Sequence, residues 1–186
     1  MEKIYFITGN KSKFEEAEQI LSDANITLTL KNLKLDEIKE IEQKKVVVEK
    51  ARQAFAQMKK PVLVDDTAIY FSSYKNFPGT YTKFLFQAIG FDGIRKILEG
   101  KSKNAHFKTM ICYKDSANEK IFSGIWNGKI ASKRGGKFNP NWEYNCIFIP
   151  SGCKNALSEI SMEERAKKSH RRKAFNALIR YLRRKK

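Results

Sequence analysis

The apolar positions of the chain fall into short runs separated by longer amphipathic stretches. Residues 4–9 are an apolar run closed by Thr8-Gly9-Asn10, which predicts a buried strand; residues 12–24 carry apolar side chains at helical spacing, which predicts an amphipathic helix. Ser12 and Glu15 have capping-box spacing at the start of that helix. The alternating stretch ITLTLKNL (26–33) reads as a strand, and residues 44–58 as a helix ended by Pro61. PVLVDDTAIYF (61–71) is a strongly apolar strand interrupted by two acids, and NFPGTY (76–81) is a turn. TKFLFQAI and DGIRKILEG predict two short helices punctuated by Gly90 and Gly100. Three further strands are predicted at AHFKTMICYK, KIFSGIWNGKI and YNCIFIP. The C-terminal stretch is helical, with Ser161 and Ser169 as caps and Ala174, Leu178, Tyr181 and Leu182 on one face. Strands interleaved with helices, without repeats or linkers, predict one α/β domain over residues 1–186, built as two lobes around a cleft.

Composition agrees with a single sizeable core: 186 residues, 41% apolar and 12% aromatic. No run reaches the roughly 18 apolar residues of a membrane helix, and no charged-apolar-small leader opens the chain. Three cysteines without CxxC spacing (Cys112, Cys146, Cys153) are expected as reduced thiols in a cytoplasmic protein, with neither a disulfide framework nor a zinc site. The net charge of +17 is concentrated at one end. Residues 165–186 carry 11 of the 37 Lys/Arg and no Asp/Glu, so the remainder holds 26 basic against 20 acidic residues. The terminal segment, ending in a basic tail at 183–186, is either a solvated helix face or a weak, salt-dependent grip on nucleic acid. No zinc finger, aromatic RNA-binding signature or basic heptad region accompanies it.

Three stretches carry candidate chemistry. In TGNKSK a strand enters a helix through Gly9, so backbone N–H groups face whatever sits over the helix N-terminus, with Lys11 and Lys13 beside it: either a simple corner or an anion site. In VLVDDTAIYF, Asp65 and Asp66 end a buried run and point to opposite faces. One can hold Mg²⁺ while the other pairs locally, or both are strand-end turn acids. In KKSHRRK, His170 at a helix start can hydrogen-bond a base or phosphate, or serve as a surface or capping residue, while His106 within a strand pattern is expected to be structural.

Taken in order, these pieces resemble the inosine triphosphate pyrophosphatase family. TGNKSKFEE matches TGNxxKxxE. VDDT followed by FPGTY matches V-[ED]-D-[ST] with F-P-G-x-Y, and FSGIWNGKI matches F-x-G-x-x-x-G-x-I. WEYNCIFIP matches an aromatic-Asp segment, and EISMEERAKKSHR matches the terminal S-H-R motif. The resemblance covers residues 4–180. It implies an elongated mixed β-sheet flanked by helices, with two lobes and a central cleft. It implies Mg²⁺-dependent hydrolysis, with Mn²⁺ as an alternative metal, of noncanonical purine nucleoside triphosphates to the monophosphate and pyrophosphate. The usual state is a homodimer. It further implies Thr8, Gly9, Asn10, Lys13, Lys50 and Lys83 on the triphosphate, and Asp66 as the catalytic acid and metal ligand, with Lys13 beside it in catalysis. Glu37, with Glu40 as the alternative, would be a second metal carboxylate. Trp142 and Tyr144 would enclose the base, and Ser169, His170 and Arg171 would read its 6-oxo edge.

The chain departs from the family pattern in the base-reading half. The usual Asp is Asn145, the usual Lys is Arg165, Glu143 stands between the two aromatics, and Ala68 replaces a common Gly. An amide offers both a donor and an acceptor without charge, and a guanidinium offers a planar fork. The resemblance therefore implies pyrophosphatase chemistry with either the family's ITP, dITP and XTP preference or a shifted one, the alternative being a basic, nucleic-acid-associated relative without enzymatic activity.

Overall fold

The structure, a computed structural model, describes residues 3–140 and 142–185. Its frame is one seven-stranded mixed sheet. The strands are β1 (Ile4–Ile7), β2 (Leu28–Lys31), β3 (Val62–Phe71), β4 (Pro78–Gly79), β5 (Asn104–Lys114), β6 (Glu119–Ile130) and β7 (Phe148–Pro150). Their order is β2-β1-β3-β5-β6-β7, with β4 paired to β3. Strand β1 runs parallel to β2 and β3, while β3, β5, β6 and β7 pair antiparallel. Helices α1 (Lys11–Ser22), α2 (Gln43–Met58), α3 (Thr82–Ile97), α4 (Met162–Lys168) and α5 (His170–Arg184) flank it.

Strand β3 explains the two-lobed form. Its first residues are apolar without alternation because both faces are covered. Leu63 packs with α1 and α5 residues such as Ile20 and Phe175, while Val62 and Val64 pack with Val47, Ala51 and Ala54 of α2. Its last residues, Ile69 and Phe71, enter a separate core with Phe86, Phe91, Phe107 and Phe148. Asp65 and Asp66 stand where the strand crosses from one core to the other. Two acids in a buried strand are tolerated there because the cores part around them.

The expected turn at 76–81 also carries the short strand β4, and the observed elements differ from the expected ones in four further places. Helix α1 is capped by Asn10, not Ser12: Asn10 Oδ1 accepts from Lys13 N at 3.1 Å, which moves the start to Lys11. Strand β2 is shorter than 26–33, in keeping with an edge strand. The stretch 144–147 is not strand; Glu143–Cys146 form a 3₁₀ turn whose alternation buries Tyr144 and Cys146, and the ladder with β6 begins only at Phe148. The C-terminal segment is better ordered than a tail. Arg183 and Arg184 close α5, and Lys185 Nζ donates to Asp115, while Lys186 lies outside the described residues. The two helices expected around Gly90 are there, joined through its left-handed backbone (φ 59°). Ser161 and Ser169 cap α4 and α5 through Glu164 N and Arg172 N. Among the described residues no helix is long and apolar enough to cross a membrane.

Candidate functional site

A cleft of about 530 Å³ opens between the lobes. Its floor at one end is β3. Asp65 lies on the α1/α5 side of the sheet, where Lys13 Nζ sits 3.1–3.2 Å from its carboxyl oxygens and Arg171 Nη2 3.7 Å away. Burial pushes this carboxyl up, but Lys13 and Arg171 outweigh it and hold it below its ordinary range. Its oxygen Oδ2 lacks a well-aligned donor, yet the 3.1 Å ion pair compensates its charge. Asp65 is thus occupied as an internal counter-ion.

Asp66 is in a different condition. Its Oδ2 is buried without a hydrogen-bond partner, and burial pushes its carboxyl above the ordinary range against the opposing pull of Lys50 and Lys13. Glu37 is exposed at the cleft mouth and is ion-paired to Lys50, which holds it below its ordinary range; Lys13 and Lys83 act in the same direction. Three lysines, one each from α1, α2 and α3, therefore converge on two carboxylates. Glu40 does not line the cleft; its carboxylate accepts from the Ile41 and Glu42 amides and from Lys45.

The other end is aromatic and cationic. Arg171, 2% exposed, bridges Glu16 and Asp65 and lies over the Trp142 ring at 5.4 Å. His170 stacks on Phe107 (centroids 5.0 Å, 15°) with both ring nitrogens unpartnered. Burial, then the Arg171 charge, drives it well below its usual value, so the imidazole is neutral, with one donor and one acceptor. Tyr144 packs edge-on against Phe86 with its hydroxyl unpartnered, and burial pushes that hydroxyl up. Arg165 donates its Nε to Ile160 O at 2.9 Å. Glu143 lines the same wall, its carboxyl raised by burial against the pull of Lys83.

Of the residues expected at the site, the cleft brings together Asn10, Lys13, Glu37, Lys50, Asp66, Lys83, Trp142, Tyr144, Asn145, Arg165, Ser169, His170 and Arg171. Thr8 and Gly9 are not in its lining. Thr8 Oγ1 accepts from Asn10 N and shapes the corner behind it. Residues 4–181 match the Ham1 family. A dITP/XTP pyrophosphatase of Saccharolobus solfataricus is 35% identical over 97% of this chain and 93% of its own. The inosine triphosphate pyrophosphatase of Saccharomyces cerevisiae is also 35% identical, over 97% and 95%. A solved HAM1 protein from Coxiella burnetii superposes with a TM-score of 0.84 at 22% identity, covering 99% of this chain and all of that one. The chain belongs to the Ham1 family.

Seen as a Ham1 chain, its motif glycines have a packing reason. A Cβ on Gly124 would stand 2.1 Å from His170 O and 2.7 Å from Ala174 N, and one on Gly128 would stand 2.4 Å from Ile149 O. Gly124 lets the first turn of α5, with His170 and Arg171, sit directly on the sheet, while Gly128 lets Phe148 and Ile149 of β7 approach β6. The residue that sequence reasoning passed over is Glu16. It accepts from Ser169 Oγ at 3.0 Å and from Arg171, tying α1 to α5. The signal was present, because Glu16 is the final letter of TGNxxKxxE. Phe107 and Trp126, also lining the cleft, read only as strand apolars.

Proposed function

We propose that this chain is a nucleoside triphosphate pyrophosphatase that hydrolyses noncanonical purine nucleoside triphosphates (ITP, dITP and XTP) to the monophosphate and pyrophosphate, clearing them from the nucleotide pool. One observation carries the reading. Among the described residues, the buried side-chain atoms without a hydrogen-bond partner belong to Asp66, Tyr144, His170 and Arg171, which line the cleft, and to Asp65 beside it. Buried polar atoms in folded proteins are almost always satisfied, so a cluster of orphans marks where a ligand completes the bonding. The orphans divide into a carboxylate among lysines and a neutral imidazole with a hydroxyl among aromatics. That division matches a molecule with polyphosphate at one end and an oxo-bearing aromatic base at the other.

The donor set suits Mg²⁺ or Mn²⁺. Among the described residues there is no group of three His, Cys, Asp or Glu able to cage a metal, and a buried free carboxylate oxygen is available at Asp66. Mg²⁺ takes one or two carboxylates and fills its shell from water and substrate phosphates. Asp66, with Glu37 at the mouth, would hold it, and when bound it supplies charge neutralisation on the phosphates. The chain's own residues do the rest. Lys13 and Lys50 stabilise negative charge growing on the departing pyrophosphate, as does Lys83. Asp66 is also placed to orient the attacking water and take its proton. No covalent intermediate is required. At the other end, His170 donates to an oxo group while Trp142 and Tyr144 enclose the base.

A second reading keeps the chemistry and shifts the base, and a specific observation favours it. Glu143, Asn145 and Arg165 all line the base end, so the wall differs from the family pattern at three polar positions. A site built to hydrogen-bond one edge rejects its analogues strongly, and changing those groups moves the preference. The deciding experiment is pyrophosphate release with Mg²⁺ across ITP, dITP, XTP, ATP, GTP and modified purine triphosphates. Turnover of ITP and XTP well above ATP and GTP is expected. Another favourite would establish the second reading, and silence on every nucleotide would refute the enzyme.

A further inference from the structure

Asp66 presents a puzzle of aim. A catalytic carboxylate must be held to within a fraction of an ångström, yet its Oδ2 accepts no hydrogen bond, whereas its idle neighbour Asp65 is fastened by two cations. What holds Asp66 is a neighbouring amide that reaches its backbone carbonyl and also steadies its carboxyl. Gln43, the first residue of α2, is a polar side chain only 3% exposed. Its amide Nε2 donates to two carbonyls at once, Asp66 O and Lys108 O, each at 3.1 Å. These carbonyls lie on β3 and β5, which pair Ala68 with Lys108 and Asp66 with Met110, so the amide spans both strands beside the carboxylate. Its Oε1 accepts from the Tyr70 hydroxyl at 3.2 Å. With both carbonyls able only to accept, the amide has one workable orientation, and the Tyr70 donor fits it.

The lock is itself held. Tyr70 stacks on His106, its partner across the β3–β5 ladder (centroids 5.1 Å, 14°). Burial, followed by the Asp66 charge, pushes the Tyr70 hydroxyl up to about 12, so it stays a donor across ordinary pH. Both ends of the buried amide are engaged: its nitrogen donates to two carbonyls and its oxygen accepts from Tyr70. That arrangement fixes two strands at the residue whose carboxylate keeps one oxygen, Oδ2, without a partner.

We propose that Gln43 is a positioning residue for Asp66, clamping the strand carbonyls of Asp66 and Lys108, with Tyr70 fixing the orientation of the clamp. This rests on the pyrophosphatase reading above. Gln43 touches no substrate and lies outside the cleft lining. Its loss therefore misdirects the catalytic carboxylate while leaving the triphosphate lysines where they are.

The test compares wild type with Gln43→Met, which keeps length and shape without the hydrogen bonds, and with Tyr70→Phe, which removes only the lock. Turnover is measured with ITP and saturating Mg²⁺. The expected result is a kcat lowered roughly tenfold to a hundredfold in Gln43→Met with KM within about twofold of wild type, since small misplacements at a reacting centre cost that much. Tyr70→Phe should lose a smaller part of kcat, again at constant KM, and both variants should melt within a few degrees of wild type. Wild-type kcat in a folded Gln43→Met, or a rise in KM at constant kcat, overturns the positioning role while leaving the enzyme reading intact. Should Gln43→Met fail to fold, Tyr70→Phe decides alone: unchanged kcat overturns the role. A wild type silent on all nucleotides overturns both readings together.

Discussion

Replacing Arg171 with leucine would show what the floor of the cleft costs to hold together. The guanidinium is buried between Glu16, whose side chain is 11% exposed, and Asp65, whose side chain is 2% exposed. In the variant, Asp65 keeps Lys13 at 3.1 Å and loses the more distant of its two cations, while Glu16 keeps the Ser169 hydroxyl at 3.0 Å and the attraction of the Arg165 charge. Breaking a buried ion pair on one side costs about 3–5 kcal/mol, because the other charge is stranded. Lys13 and Ser169 remain, so the low end, about 3 kcal/mol, is expected at pH 7. For a chain of this size that is a fall in melting temperature of roughly 6–12 °C. The pH dependence supplies the signature. In the wild type the Asp65 carboxyl is held below its unfolded value, so its contribution is present at neutral pH and is lost only in acid, as pH falls through the folded value. Without Arg171, burial weighs more heavily and the native state takes up a proton that the unfolded chain, near its ordinary value of about 4, does not. The deficit of Arg171→Leu should therefore shrink between pH 7 and pH 5. Calorimetry at both pH values, with the double variant Glu16→Leu/Arg171→Leu alongside, makes the check. A cost below about 1 kcal/mol, a deficit that grows in acid, or a double variant no more stable than the single would each refute the argument.

Two glycines of the motifs should respond in opposite ways. Gly124→Ala forces a Cβ onto backbone atoms of α5, so overpacking at the upper end of about 1–3 kcal/mol is expected, with activity falling as the His170–Arg171 turn is displaced. Gly9→Ala meets nothing nearer than the Asn32 side chain at 3.5 Å, so thermal stability should change by less than about 0.5 kcal/mol. A loss of turnover in a Gly9→Ala variant of wild-type stability would then report close substrate approach. Asp66→Asn should abolish pyrophosphate release while melting at or above the wild-type temperature. Burial raises the native Asp66 carboxyl above its unfolded value, so its ionisation costs stability as pH rises through the folded value. A destabilised Asp66→Asn, measured without metal, would contradict that account.

Local signals carried most of the frame. Apolar runs marked β3, β5 and β6 because those strands are covered on both faces or alternate regularly, and serine marked the starts of α4 and α5 through bonds three residues long. Local reading failed where alternation had a cause other than a ladder. Tyr144 and Cys146 alternate with polar residues because a 3₁₀ turn buries them, not because a strand does. The site was legible in a similar division. Groups that face the cleft stand in short ordered motifs, whereas the groups that hold them there are reached across the fold. The Arg171–Glu16 pair joins residues 155 apart, and the Gln43–Lys108 bond joins residues 65 apart. A polar residue at the first turn of a helix ordinarily reads as solvent-facing, and nothing within its own turn shows that Gln43 will be buried under two strands. It is the position of β5, decided by the whole sheet, that turns an unremarkable glutamine into a clamp. The same dependence means that substitutions at such distant supports can alter Asp66 without touching any motif by which this family is identified.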